Sequence, residues 1–341
     1  MKKNKMLLVL WVTGRCNLQC IYCYASAGSE LSQCQDMPVK TAMAAITRFA
    51  DAPLIIQFTG GEPLLGWETI CEVVRNVEEQ GIDAEFRLQT NGTLLERKHA
   101  EFIKEHAISI GISLDGVPEV NELLRGKTAD AIRGVRLLAE YGIRVNINAV
   151  VTAMNVRELP RLVDFCWYLG SVNGIGLDLF RSAGRGRSAF SKLRIAPSQI
   201  EEALPAMQNR CDQLRTLSGR SIALREVEEA RRRMTFGKKL PYCYAGCGRA
   251  AALLPDGSCY PCGSLAGERD YFMGNILEHV SLKKLDGETK LEKLRKKECL
   301  LCQYKRFCPE GCPSRMILNG EPEVDCSLRK TAFQIVENSD V

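Results

Sequence analysis

Leu7-Leu8-Val9-Leu10-Trp11-Val12-Thr13-Gly14-Arg15-Cys16-Asn17-Leu18-Gln19-Cys20-Ile21-Tyr22-Cys23 runs from an apolar stretch straight into three thiols within eight residues. The apolar run reads as a buried strand, and the cysteines sit on the loop that leaves it. Three closely spaced thiolates can each bind one iron of a 4Fe-4S cube, which leaves the fourth iron open to another ligand. Structural zinc is the competing reading. It needs four ligands, and only the more distant Cys34 is at hand as a fourth. Three merely structural thiols would fit poorly behind the polar, glycine-containing approach Thr13-Gly14-Arg15.

The chain has 341 residues, 45% of them hydrophobic and 26% charged, which fits a soluble globular protein of two or three domains. No apolar run nears the roughly 18 residues of a membrane span, so no membrane association is expected. Met1-Lys2-Lys3-Asn4-Lys5 before the apolar run imitates a secretory signal, but no small-residue cleavage site follows before Cys16. Sixteen cysteines, many as C-x2-C pairs in a long chain without a signal, point to metal binding in a reducing cytoplasm. The net charge of +5 is spread among acids and aromatic residues make up only 7%, so no nucleic-acid surface is expected.

Short β-branched runs then alternate with segments of helical period, the pattern of βα units and a parallel sheet. Strands are expected at Leu7 to Thr13, Leu54 to Thr59, Ala84 to Thr90, Ile108 to Leu114, Arg144 to Val151 and Gly174 to Phe180. Helices are expected at Lys40 to Ala50, Glu68 to Gln80, Leu95 to His106, Ala129 to Tyr141 and Val156 to Leu169. Six right-handed units make an α/β fold, a partial (β/α)6 TIM-like barrel whose strand C-terminal ends form the active mouth. Candidate groups stand at those ends. Gly60-Gly61-Glu62 follows strand two, where glycines permit close backbone approach and the carboxylate can accept from an ammonium group. Asn91 follows strand three in an Asn-Gly turn, and Ser113 and Asp115 share a face at the end of strand four. Asn146 and Asn148 alternate on strand five and require hydrogen-bond partners there. Arg125 reads either as a carboxylate partner or as a solvated loop arginine.

After Phe180 the Gly-rich basic stretch Arg181 to Arg187 reads as a connector. Ser198 to Leu217 reads as a helix with Ser198 as N-cap, and Arg225 to Met234 as a second. From Cys243 onward the secondary-structure signal is weak and nine cysteines crowd the chain: Cys243, Cys247, Cys259, Cys262, Cys299, Cys302, Cys308, Cys312 and Cys326. This gives a division into a barrel (1–187), a helical connector (188–240) and a small cysteine-rich iron-sulfur domain (241–341).

The C-x3-C-x2-C motif with Tyr22 before its last cysteine resembles the signature of radical S-adenosylmethionine enzymes, and Gly60-Gly61-Glu62 one βα unit later resembles that family's GGE motif. The resemblance implies that Cys16, Cys20 and Cys23 hold a 4Fe-4S cluster whose open iron takes S-adenosylmethionine. It further implies that Glu62 meets the methionine amino group and that Ser113 and Asp115 lie beside the ribose and carboxylate. Tyr22, Gly60, Gly61, Asn91, Arg125 and Asn148 complete the expected cofactor site. Cys299-x2-Cys302-x5-Cys308-x3-Cys312, with Cys326 behind and Cys247 and Cys262 in front, resembles the SPASM pattern of the same family. By position, one auxiliary cluster would take Cys243, Cys247, Cys262 and Cys312, with Cys259 as the alternative to Cys243. The other would take Cys299, Cys302, Cys308 and Cys326, giving three 4Fe-4S clusters. Cys71, Cys166 and Cys211 fall in helical patterns as small buried hydrophobes. Gly184-Arg185-Gly186 resembles an element near the substrate mouth of such proteins, or else is a solvated basic loop.

SPASM members typically modify ribosomally made peptides or proteins by crosslinking, epimerisation or oxidation. The expected partners are such a substrate and an electron donor such as flavodoxin or ferredoxin. Only six residues precede Leu7, so leader recognition is expected to need a separate leader-binding protein or a different surface of this one. Sulfatase maturases carry a catalytic Asp after the cysteine corresponding to Cys262, where this chain has Gly263, so the catalytic base is unknown. A tetrapyrrole or other small-molecule substrate, and a nonenzymatic zinc-binding module, are the alternatives.

Overall fold

The computed structural model describes residues 5–28, 35–294 and 298–339, and Cys34 lies outside them. Six strands lie side by side in chain order, every neighbouring pair parallel: β1 (Met6–Thr13), β2 (Leu54–Gly60), β3 (Ala84–Thr90), β4 (Ser109–Ser113), β5 (Val145–Val151) and β6 (Val172–Leu179). The helices between them are α1 (Val39–Phe49), α2 (Trp67–Glu79), α3 (Arg97–Glu105), α4 (Pro118–Leu124), α5 (Thr128–Glu140) and α6 (Leu159–Leu169). Apolar stripes face the sheet, as Ile70, Val73, Val74 and Val77 do from α2, while α4 turns Leu124 toward Leu18, Cys20 and Tyr22 of the cysteine loop. The sheet stays open. Cys71 and Cys166 are buried on helices as expected.

The sheet continues past both edges of these six strands. β7 (Ala223–Leu224) extends it beside β6, and β8 (Ala250–Leu253) with β9 (Cys259–Tyr260) extends it beside β1. Leu7, Leu8, Val9 and Leu10 pair in parallel with Ala250, Ala251, Ala252 and Leu253. The thiol-rich part of the chain therefore adds a strand to the same sheet, where the sequence offered no strand signal. Alanine is a poor strand former, and the pairing rests on β1 rather than on local propensity.

The connector read at Arg181 to Arg187 contains the short helix α7 (Arg185–Ser188), followed by α8 (Phe190–Leu193), and buries Ala183 and Gly186. The next helix, α9 (Pro197–Ser218), buries Cys211 and starts one residue before Ser198, so Ser198 is not its cap. Gln199 instead reaches back to accept from the Ala196 N–H at 2.8 Å. Then follow α10 (Arg225–Phe236), α11 (Thr289–Leu294), α12 (Glu298–Leu301), α13 (Pro313–Asn319) and α14 (Glu323–Ser339). α14 packs on α9 and α10, with Leu328, Ala332, Phe333 and Val336 in the common core. Among the described residues no helix is long and apolar enough to cross a membrane.

Candidate active site

The cysteine loop leaves β1 at the C-terminal rim and is fastened there from several sides. Gly61 and Glu62 donate their N–H groups to the carbonyls of Thr13 and Arg15 at 2.9 and 2.8 Å. A Cβ on Gly60 would strike the Thr13 carbonyl and one on Gly61 the Arg15 carbonyl, so this glycine pair lets two loops touch. Asn17 bridges onward, donating to Thr93 Oγ1 at 2.8 Å and accepting from Asn91 Nδ2 at 2.9 Å.

Glu62 is fully buried. Its Oε1 accepts from Thr90 Oγ1 (2.5 Å) and the Leu64 N–H (3.1 Å), and its Oε2 from the Asn91 N–H (2.8 Å). Two carboxylate oxygens offer about four lone-pair positions, so one on Oε2 is left over. Burial pushes Glu62 up to about 7 against those hydrogen bonds.

Asp115 is likewise fully buried, which sets it apart from a group on an open rim. It accepts from Tyr22 Oη, from Arg125 Nε at 2.8 Å and from the Val150 N–H at 2.8 Å. Arg125 is not a solvated loop arginine. Its guanidinium lies over the Tyr22 ring at 5.3 Å and points Nη1 at Cys20 Sγ, 3.9 Å away. Ser113 belongs to a separate polar chain: Gln89 Nε2 donates to Ser113 Oγ (3.1 Å), Asn148 Nδ2 to Gln89 Oε1 (2.5 Å) and Arg225 Nη1 to Asn148 Oδ1 (3.3 Å). Asn148 thus finds the partners an amide needs on this face, while Asn146 is exposed.

Gly184-Arg185-Gly186 clasps the cysteine loop and is no solvated loop. Arg185 donates from Nε to the Cys20 carbonyl (3.0 Å), from Nη1 to the Ala27 carbonyl (2.9 Å) and from its backbone N–H to the Cys23 carbonyl (3.0 Å). Gly184, at φ +52°, lies so close to the Cys23 and Tyr24 carbonyls that a Cβ would collide with both. Sequence reading missed this anchoring role; the signal was one arginine between two glycines.

The auxiliary thiols fall into two groups. Cys243, pushed up to about 12 by burial, also feels Cys312 and Cys262, and the Ser314 hydroxyl lies 3.3 Å from Cys312 Sγ and 3.7 Å from Cys262 Sγ. Cys247 follows one turn after Cys243, with Arg249 Nε donating to its sulfur at 3.1 Å. Burial raises the Cys312 thiol, but Arg315 and Arg181 together outweigh it and hold the thiol below its ordinary range. Cys308, pushed up to about 11 by burial, feels Cys326 and Cys302; Cys299 stands half-buried on α12, three residues before Cys302. Cys259 is fully buried in the main core, whereas Cys243 and Cys262 pack on a separate apolar cluster. Among the described residues no three of His, Cys, Asp or Glu converge as one metal ion would require.

The model of the radical SAM superfamily matches residues 12–166, the stretch that carries the cysteine loop and its rim. An uncharacterized protein of Methanocaldococcus jannaschii is 35% identical over 87% of this chain and 95% of its own length. The chain belongs to the radical SAM superfamily. Membership implies a 4Fe-4S cluster and S-adenosylmethionine, and makes the protein an enzyme. An Fe-coproporphyrin III synthase of Methanosarcina barkeri is 35% identical, but over 48% of this chain and 41% of its own. A cysteine-type anaerobic sulfatase-maturating enzyme of Clostridium perfringens is 24% identical over 90% of this chain and 88% of its own. Among solved structures, native anSMEcpe with bound AdoMet and Cp18Cys peptide superposes with a TM-score of 0.78 at 22% identity, covering 98% of each chain. That likeness extends the shared fold through the thiol-rich region.

Proposed function

We propose that this radical SAM enzyme modifies a side chain or the backbone of a ribosomally made peptide or protein, with three 4Fe-4S clusters. The observation that carries the reading is the extent of similarity. The sulfatase-maturating relative matches nearly end to end, whereas the coproporphyrin relative matches only about half of this chain. Of the two, only the match to the sulfatase-maturating relative takes in nearly the whole chain.

In this reading residues 1–187 generate the radical, 188–240 connect and 241–341 carry the auxiliary clusters. Cys16, Cys20 and Cys23 would hold the first cluster, beside which S-adenosylmethionine would bind. The donor set fits: three thiols share one loop, with Cys16 and Cys23 half-buried and Cys20 buried. Burial pushes Cys16 up to about 11, so loading must displace the proton from this thiol. Together the bound groups supply a 5'-deoxyadenosyl radical for hydrogen-atom abstraction.

The chain's own residues bind and orient. Glu62 offers its spare Oε2 lone pair to the methionine ammonium. Asn91 and Asn17 fix the loop against β3, and Arg185 holds the loop from the opposite side. Arg125 stands between Asp115 and Cys20, placed to exchange its pairing for the methionine carboxylate. Ser113, Asn148 and Gln89 form the polar wall toward the ribose. Cys243, Cys247, Cys262 and Cys312 hold one auxiliary cluster, and Cys299, Cys302, Cys308 and Cys326 the other. Electrons come from a flavodoxin- or ferredoxin-type donor in a reducing cytoplasm.

The test is to reconstitute the enzyme anaerobically and supply S-adenosylmethionine, dithionite and the peptides encoded by short reading frames beside its gene. Mass spectrometry and chiral amino-acid analysis should find one peptide altered in a cofactor-dependent way. Loss of carbon dioxide from a coproporphyrin under those conditions, with every peptide unchanged, would replace this reading by the tetrapyrrole one.

A further inference from the structure

The starts of α2 and α3 enclose a cavity of about 360 Å³, and none of the residues expected to hold the cofactor lines it. It stands behind the loops that hold Glu62: Leu64, in its wall, donates its N–H to Glu62 Oε1, and Leu94 follows three residues after Asn91, which donates to Oε2. Leu64, Leu65 and Leu94 give the cavity apolar walls, and two buried rings complete them, Trp67 at 8% and His99 at 4% exposure. The rings meet edge-on, with centroids 4.6 Å apart and planes at 86°.

His99 Nδ1 accepts the Glu96 N–H at 2.9 Å, so the neutral ring carries its proton on Nε2. Burial, with Lys98 nearby, lowers His99 to about 4 and keeps it in that form at neutral pH. His99 Nε2 and Trp67 Nε1 thus each have one hydrogen to donate. Among the described residues neither finds an acceptor, and neither nitrogen is sealed off by protein.

Apolar walls with a few converging polar groups are the general form of a small-molecule site. What this one takes follows from its donors and its charge. Two neutral N–H groups call for acceptor oxygens, and a cation would leave both unmet. The exposed part of the lining holds three carboxylates, Asp36, Glu68 and Glu96, against the one ammonium of Lys98. An anionic ligand would meet that excess of like charge. An uncharged carbonyl meets neither obstacle.

We propose that this cavity is a binding site for a small uncharged ligand of the amide or lactam class, whose carbonyl accepts from His99 Nε2 and Trp67 Nε1. The site is separate from the cofactor rim and does not depend on the peptide reading.

The test uses the cluster-loaded chain carrying 5-fluorotryptophan. Its three 19F signals belong to Trp11, Trp67 and Trp167, and Trp67→Phe identifies the second. The probe is 2-pyrrolidinone, and butyrate is its charged counterpart of the same size. The lactam should shift the Trp67 signal saturably while the other two stay put, with half-saturation about tenfold below that of butyrate. His99→Asn keeps an acceptor for the Glu96 N–H but lacks Nε2, and should raise half-saturation about tenfold at unchanged iron content. Leu94→Phe, which fills the cavity, should abolish the shift. A stationary Trp67 signal, butyrate binding as tightly as the lactam, or half-saturation unmoved in both variants would overturn the site.

Discussion

Replacing Glu62 by Gln changes one atom in a fully buried group that already accepts three hydrogen bonds, and its consequences follow from them. If the amide NH2 takes the Oε2 place, it opposes the Asn91 N–H. If it takes the Oε1 place, it opposes the Leu64 N–H, while Thr90 can turn its hydroxyl and accept. Either way a hydrogen bond to a charged acceptor is lost, about 1.5 to 3 kcal/mol, and the methionine ammonium loses its counter-charge. Cofactor affinity should fall by about one to two decades. Proton linkage gives a second signature. Glu62 is raised from 4.5 to about 7 in the folded chain, so between those values the folded state holds a proton that the unfolded state has released. Its contribution to stability therefore declines as pH rises from about 4.5 to about 7 and levels off above. Affinity for an ammonium group runs the other way, rising toward pH 7 as the carboxylate forms. Equilibrium dialysis of S-adenosylmethionine against loaded protein from pH 6 to 8 reads the affinity and its slope, and the Gln variant should give a weak, flat profile. Unchanged affinity, or a slope that survives the substitution, would refute Glu62 as the anchor.

Arg185→Ala removes the donors to the Cys20 and Ala27 carbonyls and should lower iron occupancy at the first site and the thermal midpoint together, as iron analysis and calorimetry would record. Gly61→Ala drives a methyl group into the Arg15 carbonyl and should cost iron at the same site, with the auxiliary content kept. Arg315→Ala strands Asp325, which Arg315 pairs inside the protein, and should destabilise by about 3 to 5 kcal/mol in denaturant unfolding.

Much of the radical half was legible because its chemistry is local in sequence. Cys16 to Cys23, Gly60 to Glu62 and the apolar strands each announce themselves within eight residues, and the alternation of strand and helix orders them around one rim. What was not legible depends on contacts made across the chain. Ala250 to Leu253 carries no strand signal and becomes one only beside β1. Arg125 reads as a solvated loop residue until Asp115 and Tyr22 enclose it, and Arg185 reads as a basic connector until the Cys20 and Cys23 carbonyls face it. The glycines of the GGE segment were read as room for a ligand; here they are the room that two loops need to touch. Whether Cys259 or Cys243 stands with Cys262 is likewise invisible in spacing, and burial of Cys259 in the core sets it apart.

The most direct test of the account is iron and sulfide analysis of anaerobically reconstituted protein, paired with 5'-deoxyadenosine formation, in the native chain and in the variant with Cys16, Cys20 and Cys23 all changed to Ala. Three four-iron clusters require about twelve irons per native chain and about eight in the variant, which should form no 5'-deoxyadenosine. Equal iron in the two proteins, or cofactor cleavage persisting in the variant, would contradict it.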